Sequence, residues 1–312
     1  MSVRPFDWRD LPALFRYRHQ SAYLDSALVL TRGPMLITGS LLSYLAPAFG
    51  ILTVVSNGDK TDPSIIGQIM YDAGSQYAHL TFLTPVEGLE SVALPALLDY
   101  LASVAGELGS FRLLADVDER SPAFDALRKS GFAVYTRQRI WQETRQPEDG
   151  EQLEGWRSAT NQDLIAIRSL YNNLVPGLVQ QVEPYTAQTP HGLVYYQGED
   201  LLAYVELKYG HRGIWVQPFV HPDAEDVVDW FLNLAQNLPN RRSRPIYLCV
   251  RSYQAWLEQF FEELGAEAGP RQAVMVKHMA VAQKAARAYG LPALESGHAE
   301  VTAPIVRSES KH

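Results

Sequence analysis

Arg4-Pro5-Phe6-Asp7-Trp8-Arg9-Asp10-Leu11, near the start of the chain, is echoed past its midpoint by Arg157-Ser158-Ala159-Thr160-Asn161-Gln162-Asp163-Leu164. In the first copy a short extended stretch, Val3 to Phe6, leads to Asp7 as a helix N-cap. Asp10 comes three residues later, and Leu11, Leu14 and Phe15 continue at helical spacing. The segments downstream of the two copies decide the fold, because the same order of elements is read twice.

In the first half a second helical stretch is predicted through Ala22-Tyr23-Leu24. Strands are predicted at Ile51 to Val55, Ile65 to Tyr71 and Ala78 to Leu83, with Asn57-Gly58-Asp59 and Ala73-Gly74-Ser75 as the turns of an antiparallel meander. A long helix places Leu94, Leu97, Leu98, Leu101, Val104 and Leu108 on one face and stops at Gly109. A strand over Arg112 to Val117, a short helix opened by Ser121-Pro122 and a strand from Phe132 complete the half. The second half repeats this with strands at Leu193 to Tyr196, Leu201 to Tyr209 and Gly213 to Val220. A helix carrying Val227, Phe231, Leu234 and Leu238, capped by Asp223, comes next. The strand Pro245 to Val250 and a short helix over Trp256 to Leu264, stopped by Gly265, come after it.

A chain of 312 residues is long enough for two domains at roughly 150 residues each. The reading is therefore a duplicated α/β (α+β) chain, each half a mixed, mainly antiparallel sheet flanked by helices. The fourth and fifth strands of each half should run parallel, because a helix crosses between them. The boundaries read as 1–145, a polar linker at 146–154, a second domain at 155–281, and an extension with a tail at 282–312. In that extension a helix is read over Ala282 to Ala288 and an edge strand over Val301 to Val306.

Composition narrows the function. The chain carries 27 Lys and Arg against 35 Asp and Glu, a net charge of -8, and its densest basic stretch is Arg241-Arg242-Ser243-Arg244 beside a turn. That is no footprint for a phosphate backbone, so nucleic acid is excluded as a partner. The single cysteine, Cys249, lies in an apolar run and reads as a buried strand residue, which fits a reducing, cytoplasmic compartment. No histidine pair has metal-ligand spacing, so no metal is expected. Met35 to Val55 is uncharged and long enough to span a bilayer. Gly39, Ser40, Ser43, Pro47 and Gly50 interrupt it, and it is read as packing on protein, with an apolar surface turn near Leu41 to Leu45.

The stretch Phe111 to Trp141, with Leu127-Arg128-Lys129-Ser130-Gly131-Phe132 at its centre, resembles the GNAT superfamily of acyl-CoA-dependent N-acyltransferases, whose short helix ends in Lys-x-Gly-Phe. The order of elements extends the resemblance over residues 2 to about 145 and, more faintly, 155 to about 281. It implies acetyl-CoA or another acyl-CoA as cofactor, a small-molecule amine as acceptor, and a phosphate-binding loop between the fourth strand and the long helix. The family's loop pattern is Arg/Gln-x-x-Gly-x-Gly/Ala. Here the loops are Pro85-Val86-Glu87-Gly88-Leu89-Glu90-Ser91-Val92-Ala93 and His221-Pro222-Asp223-Ala224-Glu225-Asp226. Leu83, Val86 and Gly88 in the first half, with Phe219 and Val220 in the second, become the candidate cofactor contacts.

Carboxylates at both loops oppose a pyrophosphate, so binding is expected to be weak. The family's proton-donating Tyr falls on Leu127 and Phe261, and the Asn that opens its short helix falls on Arg120 or Gln254. For catalysis, Glu206 as base and Tyr204 as acid share one strand face with Lys208; the other reading is a solvated face with a Glu206 and Lys208 pair. The expectation is a degenerate N-acyltransferase, with a non-catalytic binding module or a structural protein as the alternatives and self-association left open.

Overall fold

The repeated Arg-to-Asp stretches close two copies of one motif. Arg4 donates two hydrogen bonds to the carboxylate of Asp10, at 2.7 and 2.6 Å, and the Asp7 N–H donates to the same group at 2.8 Å. Arg157 holds Asp163 in the same way at 2.9 and 2.6 Å, with the Thr160 N–H at 2.8 Å and the Tyr196 hydroxyl at 3.0 Å. Each aspartate thus ties the entering strand to the first helix. These geometries come from a computed structural model, which describes residues 3–45, 50–56, 63–72, 74–144 and 155–279. The linker at 146–154, the helix expected near 282–288, the edge strand near 301–306 and the tail lie outside the described residues.

The first half runs β1 (Val3–Pro5), α1 (Leu11–Tyr17), β2 (Ala22–Tyr23), α2 (Ser26–Arg32), α3 (Leu36–Leu45), β3 (Ile51–Ser56), β4 (Ile66–Tyr71), β5 (Tyr77–Thr84), α4 (Leu94–Glu107), β6 (Arg112–Asp118), α5 (Pro122–Lys129) and β7 (Ala133–Glu143). The second runs β8 (Trp156–Ser158), α6 (Leu164–Leu174), α7 (Gly177–Val182), β9 (Gly192–Gln197), β10 (Asp200–Tyr209), β11 (Ile214–Val220), α8 (Val227–Asn237), β12 (Ile246–Arg251), α9 (Glu258–Glu263) and β13 (Glu267–His278). Alternation along the strands feeds opposite faces. Val54 and Leu80 meet α4 in one core, while Val55 and, past a bulge at Thr81, Phe82 meet α1 on the other side. Likewise Val205 packs under α8, and Tyr204 faces α6. Both short helices end on a left-handed glycine, Gly131 at φ 87° and Gly265 at φ 73°, a conformation that L side chains adopt only with strain.

The strand order is β1-β3-β4-β5-β6-β13-β7-β12-β11-β10-β9-β8. β5 with β6 and β11 with β12 are parallel, as the crossovers of α4 and α8 require, and every other pair is antiparallel. Reversing the order exchanges the halves, so the sheet has an internal pseudo-twofold. The last strand of each half crosses over: β7 pairs with β12 of the second half, and β13 pairs with β6 of the first. At the axis Gln272 stands opposite Gln138, whose amide donates to it at 2.8 Å, and the Cys249 thiol donates to the Gln138 carbonyl at 3.4 Å.

Three expectations are corrected. Ala22-Tyr23-Leu24 is extended, because main-chain bonds to two neighbouring strands outweigh its helical tendency. Leu41 to Leu45 belongs to the helix α3, whose Ser43 hydroxyl accepts from the Thr53 N–H at 2.8 Å, rather than to a turn. Asp223 does not cap α8; Asp226 precedes that helix with a left-handed backbone, φ 55°, and its side chain makes no cap bond. Among the described residues no single helix is long and apolar enough to cross a membrane, and α2 with α3 passes that test only as a pair bent by 101°.

Strand exchange leaves each half without its own central neighbour. Fragments 1–145 and 155–281 expressed separately should therefore fail to give a cooperatively folded monomer, and mixing them should restore it, as measured by circular dichroism and gel filtration. Arg157 holds the Asp163 carboxyl well below the usual carboxylate range. A depressed folded-state pKa adds stability above the unfolded value of about 3.9, and this is lost as pH falls through the folded value. Asp163→Ala should accordingly cost about 1.5–3 kcal/mol at pH 7 in urea unfolding and less near pH 2.

Candidate functional site

Both parallel pairs part company midway. β5 and β6 are in register only from Tyr77 with Arg112 to His79 with Leu114, although β5 continues to Thr84 and β6 to Asp118. β11 and β12 pair from Ile214 with Ile246 to Val216 with Leu248, then separate before Val220 and Arg251. Each separation opens a wedge at the carboxyl ends of the strands, where the loop to the long helix also begins. Crevices at such ends are the usual ligand sites of α/β sheets. The main-chain donors and acceptors exposed there must be satisfied by something.

In the first half the chain itself fills the wedge. Ala22 and Tyr23 pair with Leu83 and Phe82, the Leu24 N–H donates to Thr81 at 2.9 Å, and the Leu24 carbonyl accepts from the Asp116 N–H at 2.8 Å. Val86 donates to Gln20 at 2.8 Å and Gly88 to Pro85 at 3.0 Å. Gly88 is buried, and a Cβ there would lie 2.8 Å from Ile65. Leu83, Val86 and Gly88 therefore have their main chains committed and do not form an open cradle. Glu87 and Glu90 are exposed, and the start of α4 is served instead by Ser91, whose hydroxyl accepts from the Ala93 N–H at 3.0 Å.

In the second half a side chain does the same work. Gln254, 1% exposed, donates to the Pro218 carbonyl at 2.8 Å and accepts from the Val220 N–H at 2.9 Å. This bridges the free edge of β11, with Phe219 between the two contacts. Gln254 sits in non-helical backbone within the 3-10 turn Ser252–Leu257 that succeeds β12. The two preceding residues, Ser252 and Tyr253, line a cleft of about 280 Å³ with Tyr135, Thr136, Arg137 and Val179. Wedge and cleft thus meet at one turn.

Joined to the cleft's Tyr135 is an ionic cluster in which Arg251 is buried and Glu183 half-buried. Arg251 donates through Nη2 to both carboxylate oxygens of Glu183, at 3.2 and 3.1 Å. The Tyr135 hydroxyl donates to the same carboxylate, and the Tyr171 hydroxyl donates to the Glu183 main-chain carbonyl. Burial works against the Arg251 charge, but the acidic groups around it, Glu183 foremost, together raise its pKa and hold the guanidinium protonated. Burial also pushes up the Tyr253 hydroxyl and, against the pull of Arg251, the Asp116 carboxyl.

Tyr204 and Glu206 are on one strand face, as expected, but do not form an acid and base pair. Tyr204 is 2% exposed, stacked on Phe219 and edge-on to Tyr185, and burial pushes its hydroxyl up. Glu206 stands 3.8 Å from Lys208, the solvated pairing that was the alternative. Leu127 and Phe261, at the proton-donor position of the resemblance, are both fully buried in the cores, and Arg120 is exposed. Sequence reasoning missed Glu183, Arg251 and Tyr135. The one local signal was a charge, Arg251, ending the apolar run Leu248-Cys249-Val250. Among the described residues no group of three or more His, Cys, Asp or Glu is placed to hold a metal.

Each half is thus a meander, a crossover helix, a parallel strand, a short helix ending in Gly and a closing strand, with its parallel pair split at the carboxyl end. This is the element order on which the sequence's resemblance to the GNAT superfamily rests. Similar solved structures include a tandem GNAT protein from the clavulanic acid biosynthesis pathway, 14% identical over 89% of this chain and 98% of that one, with a TM-score of 0.49. A GCN5-related N-acetyltransferase from Sphaerobacter thermophilus is 10% identical over 89% and 95%, with a TM-score of 0.48. A GNAT-family acetyltransferase from Colwellia psychrerythraea is 14% identical over 89% and 100%, with a TM-score of 0.44. At these scores the strand order and the two split pairs, and not the superpositions, carry the fold. No protein-family model matches the sequence, and no curated protein does.

Removing Glu183 leaves Arg251 buried without its counter-ion, so Glu183→Ala should destabilise the chain by about 3–5 kcal/mol in urea unfolding. Tyr135→Phe, which keeps the ion pair but removes a hydrogen bond to a carboxylate, should cost about 1.5–3 kcal/mol.

Proposed function

We propose that the second half is the site of acyl-CoA-dependent N-acyl transfer to a small-molecule amine in the cytoplasm, with the first half closed to the cofactor. What carries this reading is the turn Ser252-Tyr253-Gln254, which borders the β11 and β12 wedge on one side and the cleft on the other. The pantetheine arm of acyl-CoA carries two amides, and an extended amide chain can add to a free strand edge as a strand would. The edge from Pro218 to Val220 offers a carbonyl and an N–H once Gln254 swings away. An amine in the cleft would attack the thioester carbonyl, the C–S bond would break, and CoA would leave as thiolate. The amine's proton would pass through Tyr135 to Glu183, the carboxylate wired to the cleft.

A second reading, a binding module without chemistry, is favoured by one observation: Glu183 is already neutralised by Arg251. The two readings part on turnover. A third, a structural or assembly role, draws on the exposed Leu41, Tyr44 and Leu45 of α3.

Calorimetry with acetyl-CoA should give weak binding by the native chain and binding on the order of ten-fold tighter by Gln254→Ala, which frees the edge. Sub-micromolar binding by the native chain would show that Gln254 is no barrier. Absence of binding by either protein would sink the acyl-CoA reading. If binding occurs, thiol release with a panel of primary amines separates transfer from binding alone. Tyr135→Phe should then lower kcat with little effect on KM.

A further inference from the structure

The helix α3 is built inside out. On an ordinary surface helix the apolar stripe faces the core and the polar residues face water. Here the side turned to the sheet carries Gly39, which lies against Gln68, together with Ser40 and Ser43. Ser40 is fully buried and meets the side chains of Thr53 and Gln68 at 3.5 and 3.4 Å, and the Ser43 hydroxyl serves the Thr53 N–H. Gln68 in turn donates to the Thr53 hydroxyl at 2.9 Å and accepts from that of Thr81 at 3.0 Å, so this polar layer is satisfied within the protein. Leu41, Tyr44 and Leu45 are exposed, Leu45 by 65%. Among the described residues of α3, Ile37 alone joins a hydrophobic core, beside Leu14 of α1. Ile37, Leu41 and Tyr44 fall at i, i+4 and i+7, so the bare stripe begins where α3 touches α1.

α1 and the 3-10 turn before it continue this surface. Trp8 is 57% exposed and Phe15 is 48% exposed. Arginines stand beside both rings: Arg9 lies over Trp8 at 5.7 Å, Arg18 donates to the Phe15 carbonyl at 2.8 Å, and Arg16 is exposed on the same helix. Few carboxylates oppose them. From Trp8 to Ser56 the sequence holds only Asp10, which is tied to Arg4, and Asp25, which is buried as the cap of α2; Asp7, just before the turn, is half-buried. In a chain of net charge -8 this is a local reversal of sign, and it calls for an anionic partner.

We propose that the outer faces of α1 and α3 dock on an anionic lipid bilayer. Trp8, Phe15, Tyr44 and the two leucines enter the headgroup layer, and Arg9, Arg16 and Arg18 reach the lipid phosphates. Aromatic and basic residues around an apolar strip have the composition of an interfacial contact. At ten residues α3 extends about 15 Å, about half of a hydrocarbon core, so it lies in the membrane surface and does not cross it. α2 stays in the protein, because Ala27 and Leu30 pack on Trp215 and Cys249.

The proposal does not rest on acyl transfer, and its test is separate. The full chain is sedimented with sucrose-loaded vesicles of phosphatidylcholine, either alone or mixed with phosphatidylserine at about three to one, which makes the surface negative. The expected result is binding to the mixed vesicles, weaker on the order of ten-fold on phosphatidylcholine alone, and release as salt rises from about 0.05 to 0.5 M and screening shortens. Arg9→Gln, Arg16→Gln and Arg18→Gln together should weaken binding on the order of a hundred-fold, about five-fold for each arginine. Leu41→Ser with Leu45→Ser should weaken it on the order of ten-fold by removing inserted apolar area. Thermal unfolding confirms that the variants are folded, and the arginine set tests the surface even if the serines loosen α3. Brominated lipid should quench part of the tryptophan fluorescence, and Trp8→Phe should remove that part. Failure to sediment with the mixed vesicles, equal binding to both kinds, or binding that survives both sets of substitutions would overturn the proposal. So would a dimer of the free chain at sedimentation equilibrium that the leucine substitutions dissociate, since a second copy would then cover this face.

Discussion

A parallel strand pair that separates inside a protein leaves main-chain donors and acceptors without partners, and each costs about 1–3 kcal/mol if buried unmet. This chain separates two such pairs, and much of what distinguishes its halves is how those groups are satisfied. The first half uses backbone: β2 runs into the gap and bonds to β5 on one side and, through Leu24, to β6 on the other. The second uses the amide of Gln254, which reproduces a strand's carbonyl and N–H at the edge of β11. A backbone plug is part of the folding unit and opens only with it. A glutamine side chain rotates about its own bonds. The same fold therefore presents one permanently filled gap and one that a ligand can contest.

The exchange of β7 and β13 gives this asymmetry its setting. Because each closing strand lies in the partner half's side of the sheet, residues from the two halves converge on the axis. Tyr135 from β7 reaches Glu183, which Arg251 holds from the end of β12. Asp116 from β6 senses Arg251 across the middle of the sheet. The cleft beside Ser252 and Tyr253 is built from both repeats, so the site proposed for the second half borrows a wall from β7 of the first.

Element order was legible because it is written in periodicity: the leucines of α4, the alternation of β10 and the glycines 131 and 265 each report a local geometry. The Arg4 and Arg157 repeats were legible as an echo before their pairing with Asp10 and Asp163 was seen. Strand exchange was not, since β7 and β13 have the same alternating pattern whichever neighbour they choose. The closure of the wedges was hidden for a related reason. Ala22-Tyr23-Leu24 carries no strong strand signal, and a glutamine that satisfies a strand edge 34 residues away in sequence looks like any polar residue at the start of a helix. Glu183 belongs to no motif, and only the fold brings it to Arg251.

Cys249, the chain's one cysteine, sits on β12 near the axis, fully buried, with its thiol pushed up to about 12 by burial and its hydrogen given to Gln138. Thiol reagents attack the thiolate, and here neither the anion nor an access path exists while β7, β12 and β13 remain zipped. The rate at which this sulfur is modified is therefore set by how often the centre of the sheet comes apart. The molecule carries its own clock for that event, placed at the seam between the repeats.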